Sequence, residues 1–177
     1  MGTLVNWVDS DDLIDFDHLR YHIDAHLDKD NIQVSISNGI IFEDDVKIKK
    51  GNWSNIQPKE NCIEEMINEL VLWPIGGVIW KKSSIKTIRP FKECLNSSQE
   101  WTFHLLQLID EQVKYEILNN DSYFVRRHEG RIGNIKNINK IKSTFFSRLY
   151  IYESLNRNGF MTSNYKDKLF VRFIKSI

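Results

Sequence analysis

Apolar positions along the chain switch between two periods. Thr3 to Val8 (TLVNWV) is a short β-rich run that breaks into Asp9-Ser10-Asp11-Asp12, which predicts a strand delivering carboxylates at its C-terminal edge. Phe16, Leu19, Ile23 and Leu27 then recur at helical spacing with charge between them, so an amphipathic helix follows that Asp15 can cap. Gln33 to Ser37 and Ile40 to Phe42 have strand character around Asn38-Gly39. Asp44 to Asn61 is polar and irregular, a loop. A helix is expected over Ile63 to Leu72, then a glycine-led strand, Gly76-Gly77-Val78-Ile79-Trp80, with a helical turn from Ser83. After a loop over Phe91 to Ser98, Glu100 to Gln112 is an amphipathic helix with Trp101, Leu105, Leu108 and Ile109 on or near one face. Val113 to Leu118 and Tyr123 to Arg127 are strands. Asn134 to Asn156 is a long helix closed by Asn158-Gly159, and a last helix runs from about Asn164 to Lys175. Strands alternating with helices in this order make the fold class α/β.

At 177 residues the chain is long enough for one domain with its own core, and 41% hydrophobic with 27% charged residues is ordinary for a globular protein. Net charge is zero, but its distribution is uneven. Residues 1–45 carry eleven acids against two bases, a balance of −9, while residues 131–177 carry ten bases against two acids, a balance of +8. The acidic end suits a cation; the basic end suits phosphate, an anionic membrane surface or nucleic acid. Two solvated faces that attract each other would give the same pattern. The aromatics of the basic end (Phe145, Phe146, Tyr150, Tyr152) fall at helical spacings and look like core, so no nucleic acid is expected. Cys62 and Cys94 have no metal spacing and fit free thiols in a reducing compartment. No apolar run reaches the roughly 18 residues of a membrane span, and Met1 is followed by no signal-peptide pattern. The expected location is the cytoplasm, with peripheral membrane contact through the basic C-terminal helices.

Four places could carry chemistry. Three carboxylates within Asp9 to Asp12 repel one another unless a cation or hydrogen bonds hold them, and oxygen ligands select Mg2+ or Mn2+. An acid cluster in a solvated turn is the alternative. An EF-hand loop starting at Asp9 fails, because its sixth and twelfth positions hold Ile14 and Arg20. A phosphotransferase pair of aspartates would want a hydroxyl residue where Leu13 stands. Glu100, at the start of its helix, could accept a proton from an attacking hydroxyl or merely cap the helix. Arg126-Arg127-His128-Glu129-Gly130 could meet a diphosphate or complete a metal site, or be a solvated basic strand end. Gly76 and Gly77 let a backbone approach a ligand closely, or form a plain turn.

In order, these pieces resemble family 2 glycosyltransferases. Gly2 to Asp12 (GTLVNWVDSDD) is similar to the stretch in which a glycine precedes a strand ending in the DxD motif. Gly76 to Lys82 (GGVIWKK) resembles the family's glycine-led strand ending in basic residues. Phe91-Lys92-Glu93 with Ser98-Gln99-Glu100-Trp101 resembles its "F-x-E … E-D-W" segment, and Tyr123 to Gly130 (YFVRRHEG) its closing "Y-R-x-H-x-G" strand. The resemblance covers most of residues 2–133.

It implies an incomplete GT-A fold, a mixed sheet flanked by helices, over residues 1–133, with a C-terminal helical extension over 134–177. It implies metal-dependent, inverting transfer of a sugar from a nucleotide-diphosphate donor to a glycan or lipid-linked hydroxyl acceptor, in polysaccharide, lipopolysaccharide or capsule synthesis. Asp9 and Asp11 would be the DxD pair, with Asp11 the direct ligand of Mn2+ or Mg2+ and Asp9 the sugar-nucleotide contact. Glu100 would be the catalytic base, His128 would stand near the metal or diphosphate, and Arg126 or Arg127 would assist. Gly76 and Gly77 would line the donor and acceptor pocket, with Trp101 near the acceptor. Two departures stand out. The family's Glu-Asp pair reads Gln99-Glu100 here, a base one methylene longer. The nucleotide-binding strands that precede the DxD motif in the family, roughly 80–100 residues, have no counterpart in this sequence. A remnant or split piece, inactive without that half, is therefore the alternative expectation.

Overall fold

The computed structural model describes residues 2–86, 90–127 and 138–175. The elements are β1 (Leu4–Asn6), β2 (Leu13–Ile14), α1 (His18–Asp28), β3 (Val34–Phe42), β4 (Gly51–Asn52), α2 (Cys62–Ile67), β5 (Val78–Lys81), α3 (Gln99–Asp110), β6 (Tyr115–Arg126), α4 (Ile138–Arg157) and α5 (Ser163–Lys175). Short 3-10 turns, Ile75–Gly77 and Lys82–Ser84, flank β5. The strands form one mixed sheet in the order β1-β5-β3-β6-β2, with β4 paired to β3. The β3–β6 pair is parallel; the other pairings are antiparallel.

The chain divides into two compact units. One comprises Met1–Gln57, Val71–Lys86 and Val113–His128; the other comprises Pro58–Leu70, Thr87–Gln112 and Glu129–Ile177. The first holds the sheet and α1. The second holds α2 and α3 together with the terminal helices, so the helices interleaved among the strands group with the C-terminal ones.

The first unit is built on β3, which is buried along nearly its whole length. A strand covered on both faces is normally apolar throughout, but here Val34 and Ile36 alternate with Ser35 and Ser37. Two strands were expected around Asn38-Gly39. One continuous strand forms instead, and its register against β6 shifts on either side of Asn38. β6 likewise runs unbroken where two strands were expected. A polar, turn-like stretch stays extended because its neighbour supplies the ladder hydrogen bonds.

The apolar stripe of α1 is not its buried face. Phe16, just before the helix, is 100% exposed, and Leu19, Ile23 and Leu27 also face solvent. The buried face is His18, His22 and His26, at i, i+4 and i+8. The reason lies in the sheet, where serine hydroxyls meet the helix. Nδ1 and Nε2 of His22 lie 2.6 Å and 3.2 Å from the hydroxyls of Ser35 and Ser37, and Nδ1 of His18 lies 2.8 Å from that of Ser122. A neutral imidazole can satisfy hydroxyls at both nitrogens, which a leucine cannot. Asp15 was expected to cap α1; it accepts the Asp17 N–H at 3.0 Å just ahead of the helix, but Asp17 holds the cap position and, among the described residues, no side chain caps α1.

In the second unit, α2 ends at Ile67, shorter than the pattern predicts. Glu69, at φ +56°, lies in the left-handed region. Asn61 caps α2 by accepting the Glu64 N–H at 3.0 Å. The core is formed by Met66, Ile67, Leu95, Phe103, Leu105, Ile109, Ile151 and Leu155. Lys168 on α5 bonds Glu64 on α2 at 2.6 Å. Gly159, at φ +71°, ends α4 as the sequence predicts.

Candidate functional site

The carboxylate turn sits where the strand pattern places it, just beyond β1. The Asp12 N–H donates to the Asp9 carbonyl at 3.2 Å, which closes the turn. β2 then pairs antiparallel with the C-terminal part of β6, Leu13 against Phe124. The turn is thereby carried to the carboxyl end of β6. In open α/β sheets that edge is where ligands bind.

Asp12 anchors this arrangement. Its Oδ1 accepts the Arg126 N–H at 2.7 Å, and its Oδ2 accepts the Tyr123 hydroxyl. The Arg126 side chain turns back over the turn: its Nε donates to the Asp11 carbonyl at 3.0 Å, and its guanidinium lies 4.8 Å from the Phe42 ring centroid. The Arg127 N–H donates to the Phe42 carbonyl at 2.7 Å. One of the three crowded carboxylates is thus held by fixed donors. Asp9 and Asp11 lie exposed on the same turn, beside a guanidinium.

Gly76 and Gly77 belong to the 3-10 turn before β5 rather than to the strand itself. The close approach expected of them is present, and what approaches is Tyr123. A Cβ on Gly76 would stand 2.3 Å from a carbon of that ring, and one on Gly77 would stand 2.8 Å from the Ser37 carbonyl oxygen. Asn6 secures the segment by donating to the Gly76 and Val78 carbonyls at 3.0 Å and 2.9 Å. Tyr123 therefore joins two of the recognised motifs, the glycine pair and the acid turn. Sequence reasoning gave Tyr123 and Asp12 no role. The one signal for them was their place inside those motifs.

On the buried face of α1, the imidazoles are held neutral. Burial pushes His18 down to about 4, against the opposing pull of Asp15, and burial next to His18 and His26 pushes His22 down to about 3. His26 is lowered as well, mainly by burial.

In the second unit, Glu100 lies in the first turn of α3, half-buried. The residue before the helix, Ser98, holds φ +60°, and its carbonyl accepts from both the Thr102 N–H at 3.0 Å and the Thr102 hydroxyl at 2.7 Å. A non-glycine residue there carries local strain of the kind found at functional positions. Trp101, expected near an acceptor, is buried. Its indole N–H donates to the Met66 carbonyl at 2.9 Å, and the Arg148 guanidinium lies 5.4 Å from its ring centroid. That places Trp101 among core side chains. His128 lies outside the described residues.

Among the described residues, no three His, Cys, Asp or Glu side chains are grouped to hold a metal ion. The donor set of the turn, two exposed carboxylates, still fits a hard cation that completes its shell with phosphate oxygens and water. A separate pocket of about 190 Å³ in the first unit is lined by amides and hydroxyls, among them Asn38, Asn52, Ser54, Asn55 and Gln57. It is smaller than the roughly 300 Å³ at which small-molecule sites begin.

The mixed α/β sheet flanked by helices is similar to the fold of a known glycosyltransferase structure. The crystal structure of S. aureus TarS 1–349 in complex with UDP-GlcNAc is similar to this chain with a TM-score of 0.62 at 17% identity, over 99% of this chain and 49% of that one. The chain thus spans about half the length of the structure it matches, and at that identity the likeness is one of fold. No protein-family model matches the sequence, and no curated protein matches it.

Proposed function

We propose that this chain carries the diphosphate-binding and acceptor-activating part of a glycosyltransferase that uses a nucleotide-diphosphate sugar. The observation that carries the reading is the Asp9–Asp12 turn, fixed by Tyr123 and Arg126 at the carboxyl end of β6. It offers two carboxylates for a cation and one guanidinium for phosphate. TarS was crystallised with UDP-GlcNAc, so that compound is the first donor to try.

In the proposed reaction an acceptor hydroxyl oxygen attacks the anomeric carbon. The bond from that carbon to the diphosphate breaks, and the diphosphate leaves with the electron pair. The acceptor proton passes to Glu100, the base that the family resemblance assigns. Mn2+ or Mg2+, held by Asp11 with Asp9 on the sugar nucleotide, would supply charge neutralisation of the departing diphosphate. Arg126, and Arg127 beside it, would add charge-assisted hydrogen bonds to the same oxygens. The acceptor would be a glycan or lipid-linked hydroxyl in polysaccharide, lipopolysaccharide or capsule synthesis.

The test is release of UDP from UDP-GlcNAc with Mn2+ and a panel of glycan acceptors. Glu100→Gln is expected to lower turnover by about 100-fold or more with little change in donor binding. Full turnover by Glu100→Gln would remove the base.

A second reading is favoured by one observation. The exposed apolar stripe of α1 is what a face covered by further polypeptide looks like, and the matched structure holds about as much chain again. On that reading the chain binds donor only when joined to a nucleotide-binding half. Tight UDP-GlcNAc binding by the chain alone would exclude it.

A further inference from the structure

The pocket bounded by β3, β6 and the chain that follows β4 lies within the first unit. Its polar lining is Asn38, Asn52, Ser54, Asn55, Gln57 and Asn119, and its apolar lining is Ile56, Ile117 and Leu118. None of these side chains carries a charge. The shape follows from a bulge in β6. Ile36 pairs with Ile117 and Asn38 with Asp121, so Leu118, Asn119 and Asn120 stand opposite Ser37 alone. Bulges re-aim side chains and recur next to active sites.

The wall formed by residues 52–57 is pinned. The Trp53 N–H donates to the Gly39 carbonyl at 2.7 Å, the Ser54 hydroxyl to the Leu72 carbonyl at 2.6 Å, and the Trp73 indole N–H to the Ile56 carbonyl at 3.1 Å. Asn55 closes the turn: its Nδ2 donates to the Gln57 carbonyl at 3.0 Å, and its Oδ1 accepts the Gln57 N–H at 3.1 Å. A wall fixed before binding loses little freedom when a ligand arrives. The amides of Asn52 and Asn119, both exposed, have no hydrogen-bond partner among the described residues. Asn38 donates to Asp121 at 3.2 Å, and Lys49 lies 3.3 Å from the other oxygen of that carboxylate, so the acid beside the pocket is already paired with a cation.

Each amide offers both donors and an acceptor, and so does each hydroxyl of a sugar. A lining without charge gives a phosphate or carboxylate nothing to hold, while Ile117 and Leu118 suit the C–H face of a sugar ring. Pockets that enclose a whole small molecule are larger than this one of about 190 Å³. One ring of a longer chain needs less room, because its neighbours stay in solvent.

We infer that this pocket binds one ring of a neutral oligosaccharide. Asn38 precedes Phe42, the partner of Arg126, by four positions on β3, roughly 13 Å of strand. The pocket is therefore separate from the Asp9–Asp12 turn, and the inference does not rest on the sugar-transfer reading.

Titrating maltotriose, cellotriose, mannotriose and chitotriose into isotope-labelled protein, followed by NMR of the backbone amides, tests it. At least one of the four is expected to bind at about 10 mM or tighter and to shift the signals of Asn52, Ser54 and Asn119. Inorganic phosphate should leave those signals in place. The variant N52A/N119A should weaken binding at least about tenfold with unchanged circular dichroism, and Asp11→Asn should bind the sugar as the parent does. Four results would overturn the inference: no shift with any of the four sugars, equal shifts with phosphate, full binding by N52A/N119A, or binding abolished by Asp11→Asn. The last would put the sugar at the carboxylate turn instead.

Discussion

At the scale of single residues, the candidate site depends on a side chain that no motif singled out. Tyr123 fills the space left by the missing Cβ of Gly76 and donates to Asp12. Gly76→Ala is therefore expected to destabilise the first unit by about 2 kcal/mol, because the ring must move and overpacking of a fixed core costs on that order. A thermal melt measures it, and an unchanged midpoint would mean the ring has room to shift. The buried histidines of α1 give a second expectation. His18 and His22 titrate in the folded chain at about 4 and about 3, below the ordinary 6.5. Groups lowered in this way contribute stability that is complete above pH 6.5 and is lost as pH falls from 6.5 toward 4 and then 3. Each fully depressed histidine steepens that loss by about 1.4 kcal/mol per pH unit. His22→Gln should flatten the acid limb of a denaturation series, and an unchanged limb would show that the imidazole does not drive it. The exposed carboxylates of Asp9 and Asp11 were legible from composition alone. The anchoring role of Asp12 was not, because nothing in four adjacent residues tells which carboxylate finds a donor more than 100 residues away.

At the scale of elements, the sequence placed the five helices and the four longer strands but not β2 or β4; it found the buried face of α3 and erred on those of α1 and α4. Periodicity finds a stripe but cannot say what it faces. In α1 the leucines and isoleucine met the helical template, yet the sheet below presents Ser35, Ser37 and Ser122, so the histidines turned inward. In α4 the phenylalanines looked like core, yet serines took the packed side. β3 and β6 were each divided in two at Asn38-Gly39 and near Asn119 to Ser122, because turn-forming residues look like turns until a neighbouring strand holds them extended. These inversions predict an unusual tolerance. Leu27→Ser, on the exposed stripe of α1, is expected to change stability by less than about 0.5 kcal/mol. Ser147→Leu, on the fully buried side of α4, is expected to cost about 2 kcal/mol or more. Chemical denaturation of the two variants compares them directly, and the reverse order would mean the faces are assigned wrongly.

At the scale of the whole molecule, the acidic first segment lies in the first unit and the basic last segment in the second. The first unit presents carboxylates and a guanidinium suited to a cation and a diphosphate. The second carries Glu100, proposed as the base, and the exposed phenylalanines of α4. TarS 1–349 shares the fold over 99% of this chain while this chain covers 49% of it, so the fold class was legible in the sequence although the substrate was not. Binding of a cation and a sugar-nucleotide diphosphate at the Asp9–Asp12 turn is measured by titrating UDP-GlcNAc into the protein by calorimetry with and without Mn2+. Binding at about 1 mM or tighter is expected with Mn2+, weakened at least about tenfold without the metal or in Asp11→Asn, and weakened severalfold in Arg126→Ala. Absence of binding with the metal present, or an Asp11→Asn variant that binds as well as the parent, would contradict it.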